Sequence, residues 1–468
     1  MAEIRFGTDG WRGVIANDFT RENVETVARA YAVALHRRDV AEKGVVVGYD
    51  ARFLSDRNAG HVARVLSEAG IPVTLAWSLT TTPAVSHAVV ALDAAGGVAV
   101  TASHNPPEYN GLKFKSPYGG SAGPEEIAEI AACLGEAVPR AARAPIREAD
   151  VAALYRERLI ASLPPKRDGR RLRIVVDPMH GAAQGLAADL LRERGHDVIE
   201  IRGDRNPLFG GVNPEPIPPH VDALGVAVRE AGADLGLAMD GDADRIGAVT
   251  AHGDFFDAHR IFALLAHTML ASGERGRLVK TVSTTTLLDR IGADFGVEVT
   301  TTPVGFKYVC AEILKGDVLM GGEESGGLWT RGAIPERDGI RMALLLADAA
   351  AQMDRSLHEA WEQLTDRYGT VEYRRRDRVV PIERREEIES VAADCRTIDG
   401  VPVRRVDRRD GVKLIREDGY WLMFRFSGTE PLLRLYAEAD SADACGRFLD
   451  EAEAHVAKAI GEPPTTHG

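Results

Sequence analysis

Between residues 20 and 38 the apolar positions Val24, Val27, Ala28, Tyr31, Ala34 and Leu35 recur at helical spacing, and a β-branched run from Gly44 to Tyr49 follows. This predicts a helix leading into a buried strand. Residues 55–70 open with polar side chains and stop on Gly70, which reads as a second helix, while 71–76 and 97–101 read as strands. Strands alternating with helices predict a parallel sheet of α/β type. The same grammar returns at 172–176, through a helix ending near Gly195, and at 197–201 and 235–239. It returns once more as a helix over 259–270, a strand over 278–282, a helix over 284–295 and strands at 297–301 and 318–321. Beyond about Tyr368 the pattern changes. Closely spaced strands at 413–416, 420–426 and 432–439 precede a helix over 441–459, which predicts an α+β unit with an antiparallel sheet.

Composition narrows the class. With 468 residues, 45% hydrophobic and 27% charged side chains, the chain is long enough for roughly three or four domains. A net charge of −13 gives no support to nucleic acid as the main partner, which requires a concentrated basic footprint. No apolar run approaches the roughly 18 residues of a membrane span and the start lacks a signal core, so the expectation is a cytoplasmic protein with no membrane partner. Cys133, Cys310, Cys395 and Cys445 lie far apart, as buried thiols rather than a disulfide framework. The Pro, Arg and Ala-rich stretch 137–148 and the segment 366–370 are the expected boundaries of units at 1–140, 150–250, 251–367 and 370–468.

Four segments carry chemistry. Thr101-Ala102-Ser103-His104-Asn105-Pro106-Pro107 follows an apolar strand, where α/β proteins bind ligands; by itself it is also a plain Ser/Asn/Pro turn. Asp240-Gly241-Asp242-Ala243-Asp244-Arg245 also follows a strand, and its alternating carboxylates suit a hard cation such as Mg²⁺. An EF-hand is excluded, because Arg245 stands where that loop needs Gly and Ala251 where it needs Glu. Gly321-Gly322-Glu323-Glu324-Ser325-Gly326-Gly327 offers acceptors for a polyol on closely approaching backbone, or a surface loop. Arg425-Phe426-Ser427-Gly428-Thr429-Glu430-Pro431 combines a guanidinium, hydroxyls and glycine-exposed amides, the chemistry of a phosphate nest or of an ordinary hairpin.

Together with Phe6-Gly7-Thr8-Asp9-Gly10-Trp11-Arg12-Gly13, these segments resemble the α-phosphohexomutases, the family of phosphoglucomutase and phosphomannomutase, in order and over nearly the whole chain. The resemblance implies three related α/β units with mixed, mostly parallel sheets plus a smaller C-terminal α+β domain, with the active site in the central cleft. It implies that Ser103 is the phosphoserine and that Asp240, Asp242 and Asp244 hold one Mg²⁺ together with the Ser103 phosphate. Glu323 and Ser325 become sugar-hydroxyl readers, and Arg425, Ser427, Gly428 and Thr429 the clamp for the non-reacting phosphate. Arg12, His104, Lys113, Arg245, Gly305, Lys307 and Arg337 fall around the substrate, Arg337 where relatives often carry lysine. Lys113 and Arg12 are expected to handle the proton, Lys113 made less basic by neighbouring cations.

The implied reaction interconverts hexose 1-phosphate and hexose 6-phosphate through a 1,6-bisphosphate, with glucose 1,6-bisphosphate as activator and a monomer or homodimer as the working unit. The run Thr302-Pro303-Val304-Gly305-Phe306-Lys307 resembles phosphoglucomutases and ranks glucose ahead of mannose. Trp11, Glu324 and Gly327 stand where phosphoglucosamine mutases tend to carry Ile, Gln and His, which argues against glucosamine. An aspartyl phosphatase is the rival enzyme, although Asp244 stands where it needs Thr or Val. A non-catalytic sugar-phosphate sensor would be expected to lose Ser103 or an aspartate, and the chain keeps them all.

Overall fold

The computed structural model describes residues 4–7, 9–165, 169–427 and 431–461. Four sheets follow one another along the chain. The first contains β1 (Gly10–Val14), β2 (Val45–Tyr49), β3 (Val73–Ala76), β4 (Gly96–Val100), β5 (Tyr109–Lys115) and β6 (Ile146–Ala149), in the order β1-β5-β4-β2-β3-β6. Strands β4, β2, β3 and β6 run parallel, while β5 and β1 add antiparallel. Val45, Val46 and Val47 are buried, as a strand covered by helices on both faces requires. β6 carries this sheet to Ala149, beyond the expected boundary at 140.

The second sheet is β7 (Arg173–Asp177), β8 (Asp197–Glu200), β9 (Leu235–Met239), β10 (Ile246–Thr250) and β11 (Phe255–Phe256), ordered β11-β10-β9-β7-β8. The third is β12 (Arg277–Thr281), β13 (Val299–Thr302), β14 (Val318–Gly322) and β15 (Leu328–Thr330), ordered β13-β12-β14-β15. Both are mixed: β9-β7-β8 and β13-β12-β14 pair parallel, and antiparallel pairing is confined to one edge of each, β10 with β11 in the second sheet and β15 in the third. The last is wholly antiparallel: β16 (Glu372–Val379), β17 (Thr397–Ile398), β18 (Val401–Asp407), β19 (Val412–Arg416), β20 (Trp421–Phe426) and β21 (Leu432–Ala439), ordered β16-β21-β20-β19-β18-β17.

The three α/β units share a core. Val85 and Val89 of the first, Leu237 and Met239 of the second, and Leu319 and Ile340 of the third belong to one continuous buried cluster. The last unit has a core of its own, around Leu414, Phe424, Leu435, Phe448 and Val456. The carboxyl ends of β4, β9 and β14 therefore converge with little freedom, and they deliver the three loops that carry Ser103, Asp240 and Glu323. All four cysteines are buried free thiols. Among the described residues no helix is long and apolar enough to cross a membrane.

Candidate active site

Ser103 follows β4 in the left-handed region, φ +54°, an uncommon place for a residue with a side chain. It is wholly buried. Its N–H donates to Thr101 Oγ1 at 2.8 Å and its hydroxyl donates to Asp240 Oδ2 at 2.7 Å. Gly241 makes that approach possible, since a Cβ there would lie 2.5 Å from the Ser103 carbonyl oxygen.

The loop after β9 turns Asp240, Asp242 and Asp244 inward, with one oxygen from each within 4.8 Å of the others. All three are 0% exposed. Asp242 accepts from Thr82 Oγ1 at 2.6 Å and from Lys113 Nζ at 2.7 Å; Asp244 accepts from Lys113 at 2.9 Å and from Arg337 Nη2 at 2.7 Å. One oxygen each of Asp242 and Asp244 is buried without a hydrogen-bond partner among the described residues. Three oxygen donors, two of them orphaned, fit a hard divalent cation, and Mg²⁺ in particular is suited by carboxylates that leave room for a phosphate oxygen.

Charge within this cluster is polarised. Burial, reinforced by Asp242 and Asp244, holds the Asp240 carboxyl well above the usual carboxylate range. Burial works the same way on Asp244, but Arg337, Lys113 and Arg245 outweigh it and hold that carboxyl well below. Lys113 corrects an expectation. Burial alone would make it less basic, yet Asp242, Asp244 and Asp9 raise it above the ordinary lysine value, because these carboxylates outweigh both burial and the opposing Arg337 cation. His104 is held well below its ordinary value by burial and then by Arg245 and Arg12, so its imidazole is neutral.

The remaining expected residues fall into two groups. Near Ser103, Arg12 Nη1 donates to Asn105 Oδ1 at 2.6 Å, and Arg245 lies 3.9 Å from Asp240 and 3.8 Å from Asp244. Glu323 is buried and 3.4 Å from Arg337 Nη1; Ser325, half-buried, follows in the turn from β14 to β15. The Arg337 stem lies along Gly327, where an added Cβ would be 2.3 Å from its Cδ. The second group lies on the last unit. Arg425 Nε donates to Asp410 Oδ2 at 2.9 Å, and the same oxygen accepts from Val304 N–H at 3.0 Å. That carboxylate ties the clamp to the turn carrying Gly305 (φ +126°) and Lys307, which lies over the Tyr308 ring. Ser427 N–H donates to Leu432 C=O across the hairpin, whereas Gly428 and Thr429 lie outside the described residues.

Two residues used to argue specificity are held by contacts within their own units. Trp11 packs in the first unit's core, stacked on Phe19 at 5.1 Å between ring centroids, and Glu324 turns to Ser283 Oγ at 2.7 Å. Several residues in contact with the expected site residues or beside them were given no role in the sequence reading: Asp9, Asp50, Arg52, Thr82, Asn105 and the buried pair Lys115–Glu336, 2.5 Å apart. Asp50 and Arg52 had a signal, since they stand at the carboxyl end of β2, the position that singled out Ser103 and Asp240.

Four family models match in succession: the phosphoglucomutase/phosphomannomutase alpha/beta/alpha domains I, II and III over residues 3–139, 153–253 and 257–368, and the C-terminal domain over 380–455. A phosphoglucomutase/phosphomannomutase of Thermococcus kodakarensis is 31% identical over 450 residues, covering 95% of this chain and 96% of the relative. The chain belongs to the phosphoglucomutase/phosphomannomutase family. It is thus a phosphohexomutase, an intramolecular phosphotransferase, and the aspartyl phosphatase and sensor readings fall away. A phosphoglucosamine mutase of Saccharopolyspora erythraea is 36% identical over 453 residues, 94% of this phosphohexomutase and 96% of the relative, so overall similarity does not choose the sugar. The crystal structure of a protein described as a phosphomannomutase, from Thermus thermophilus, superposes with a TM-score of 0.86 at 39% identity, covering 97% of this chain and 99% of that one.

Proposed function

We propose that this phosphohexomutase interconverts hexose 1-phosphate and hexose 6-phosphate, glucose ahead of mannose, with Ser103 as the phosphoryl carrier. The observation that carries the reading is the contact of the Ser103 hydroxyl with Asp240, at the point where the metal-suited loop and the Lys113 and Arg337 cations converge. Asp240, Asp242, Asp244 and the Ser103 phosphate would hold Mg²⁺, which when bound neutralises charge on the phosphoryl oxygens.

The chain's own residues supply the rest. Ser103, wholly buried at the end of a strand, presents its phosphoryl group to a sugar hydroxyl where bulk water is excluded. Lys113, kept protonated by its carboxylates, donates to anionic oxygen beside Ser103, and Arg12 lies on the same side through Asn105. Glu323 and Ser325 read sugar hydroxyls, while Arg425, Ser427, Gly428 and Thr429 hold the non-reacting phosphate. The sugar must turn end for end between the two transfers, so these contacts read features common to both isomers. Glucose 1,6-bisphosphate, the intermediate itself, rephosphorylates Ser103 and therefore activates the dephosphorylated enzyme.

Support for a neutral hexose over an aminosugar is electrostatic. Arg337 already pairs with Glu323, so the sugar loop presents a guanidinium-matched carboxylate rather than a free anion for an ammonium group. The similarity to phosphoglucosamine mutases favours the second reading, glucosamine phosphate. A coupled assay with glucose, mannose and glucosamine 1-phosphates, run with Mg²⁺ and the matching bisphosphates, compares kcat/KM directly. The glucose isomer should lead; a lead for glucosamine 1-phosphate would overturn the assignment.

A further inference from the structure

Asp50 and Arg52 follow β2 and are both 0% exposed. Arg52 Nε lies 3.2 Å from Asp50 Oδ2, and its guanidinium stacks on Phe209 at 4.9 Å from the ring centroid. Its two terminal nitrogens grip the backbone of the Ser103 loop. Nη2 donates to the carbonyls of Ser103 and Asn105, each at 2.6 Å, and Nη1 to those of Pro106 at 2.8 Å and Tyr109 at 2.9 Å. Asp50 holds the same loop from its other side: it accepts from Thr101 Oγ1 at 2.6 Å, and that hydroxyl oxygen accepts from Ser103 N–H.

The two polar groups of the Ser103 backbone are thus bound by one buried ion pair, the carbonyl directly by Arg52 and the N–H through Thr101 to Asp50. Ser103 sits there at φ +54°, a conformation that persists only where its surroundings over-determine it. We infer that Asp50 and Arg52 are positioning residues for phosphoryl transfer, which fix the Ser103 oxygen against Asp240 by clamping the backbone on both sides. Neither residue touches the Ser103 hydroxyl, so the pair acts on the placement of the reacting oxygen and not on its chemistry. Arginine is required because only its planar fork reaches four carbonyls at once; lysine brings the charge without that geometry.

This rests on Ser103 being the phosphoryl carrier. The test is single-turnover transfer from phosphorylated enzyme to glucose 1-phosphate, with loading of Ser103 measured by intact mass. Arg52→Lys should load yet transfer about 100-fold more slowly, the scale expected for misplacing a reacting atom by an ångström, with KM within about threefold of the parent. Arg52→Gly should regain part of the rate in guanidinium at concentrations well below denaturing, and none in ammonium. If Arg52→Lys does not fold, Thr101→Val carries the test, since it removes one hydroxyl at nearly constant volume and should slow transfer about tenfold. Folded variants that transfer at the parental rate, or that lose only KM, overturn the positioning role. A parent that takes no phosphoryl group on Ser103 overturns the carrier reading on which it rests.

Discussion

In the proposed function the Ser103 centre and the Arg425 clamp serve one substrate, yet they are built differently. Ser103, the three aspartates and Arg337 sit on loops, and Lys113 on β5, of units that share one apolar core, and the charged groups among them pair across unit boundaries at 2.7 to 2.9 Å. The clamp sits on a unit with its own core. That unit meets the third through a small cluster around Val282, Trp421 and Tyr436 and through polar links: Lys413 Nζ to Val282 C=O at 2.6 Å, Glu438 to Thr286 N–H at 3.0 Å, and Arg260 to Glu372 at 3.0 Å. A shared apolar core resists displacement, whereas a polar interface of this kind can exchange its hydrogen bonds for water. In the proposed reaction the reacting atoms are therefore held rigidly, and the handle of the substrate is held by the part that can let go while a bisphosphate turns over. Of the expected boundary 366–370, residues 366–368 form the last turn of the helix Leu357–Tyr368, and the chain reaches β16 through 369–371.

The sharpest way to break this contrast is inside the rigid centre. Asp242→Asn should leave the fold intact while weakening Mg²⁺ binding and lowering kcat by about a thousandfold, because a cation that neutralises phosphoryl charge contributes several kcal/mol. Calorimetric titration with Mg²⁺ alone checks the binding half; an unchanged Mg²⁺ requirement would remove Asp242 from the ligand set.

Arg425→Ala, on the clamp, should cost about 2 to 4 kcal/mol in kcat/KM for both sugar phosphate isomers, by deleting a charge-assisted and potentially bidentate phosphate contact. The loss should appear with either isomer, since the non-reacting phosphate is common to both. Equal kcat/KM values for variant and parent would dissociate this arginine from the substrate.

A further test, read in stability and not in turnover, concerns the interface. Burial, then the nearby Lys280 cation, pulls Lys413 down to about 7, although Glu438, Asp289 and Asp407 oppose this, and its nitrogen lies 3.6 Å from the Trp421 ring centroid. Between about pH 7 and the ordinary lysine value near 10.5, the unfolded lysine binds a proton that the folded one does not. Stability of the docked unit should therefore rise with pH across that window and level off below pH 7. Lys413→Met should flatten the rise; an equally steep profile in the variant would assign it to another group.

What the sequence made legible follows from which positions are apolar. β9, Leu235–Met239, is uniformly buried and stood out at its true bounds, and three of the last unit's six strands, β19, β20 and β21, were found to within a residue, whereas β16, β17 and β18, exposed at many positions, were not. β5 was missed because Lys113 and Lys115 alternate with Leu112 and Phe114, and both lysines are buried against carboxylates of other units instead of facing water. β1, Gly10–Val14, was missed for want of an apolar run. At the site, strand ends followed by Ser103 or by Asp240, Asp242 and Asp244 were visible. The pairing of Lys113 with those aspartates was not, because it joins residues 129 and 131 positions apart, and the expected lowering of its basicity was reversed as a result.

The central claim is that the phosphoryl group rides on Ser103 inside the rigid centre. Its most direct test is peptide mapping of enzyme incubated with glucose 1,6-bisphosphate, with Ser103→Ala in parallel. The account predicts one phosphoryl group on Ser103 in the parent and none in the variant, which should also lose nearly all mutase activity. A phosphoryl group on Asp240, or a Ser103→Ala enzyme that still takes one up and turns over, would contradict it.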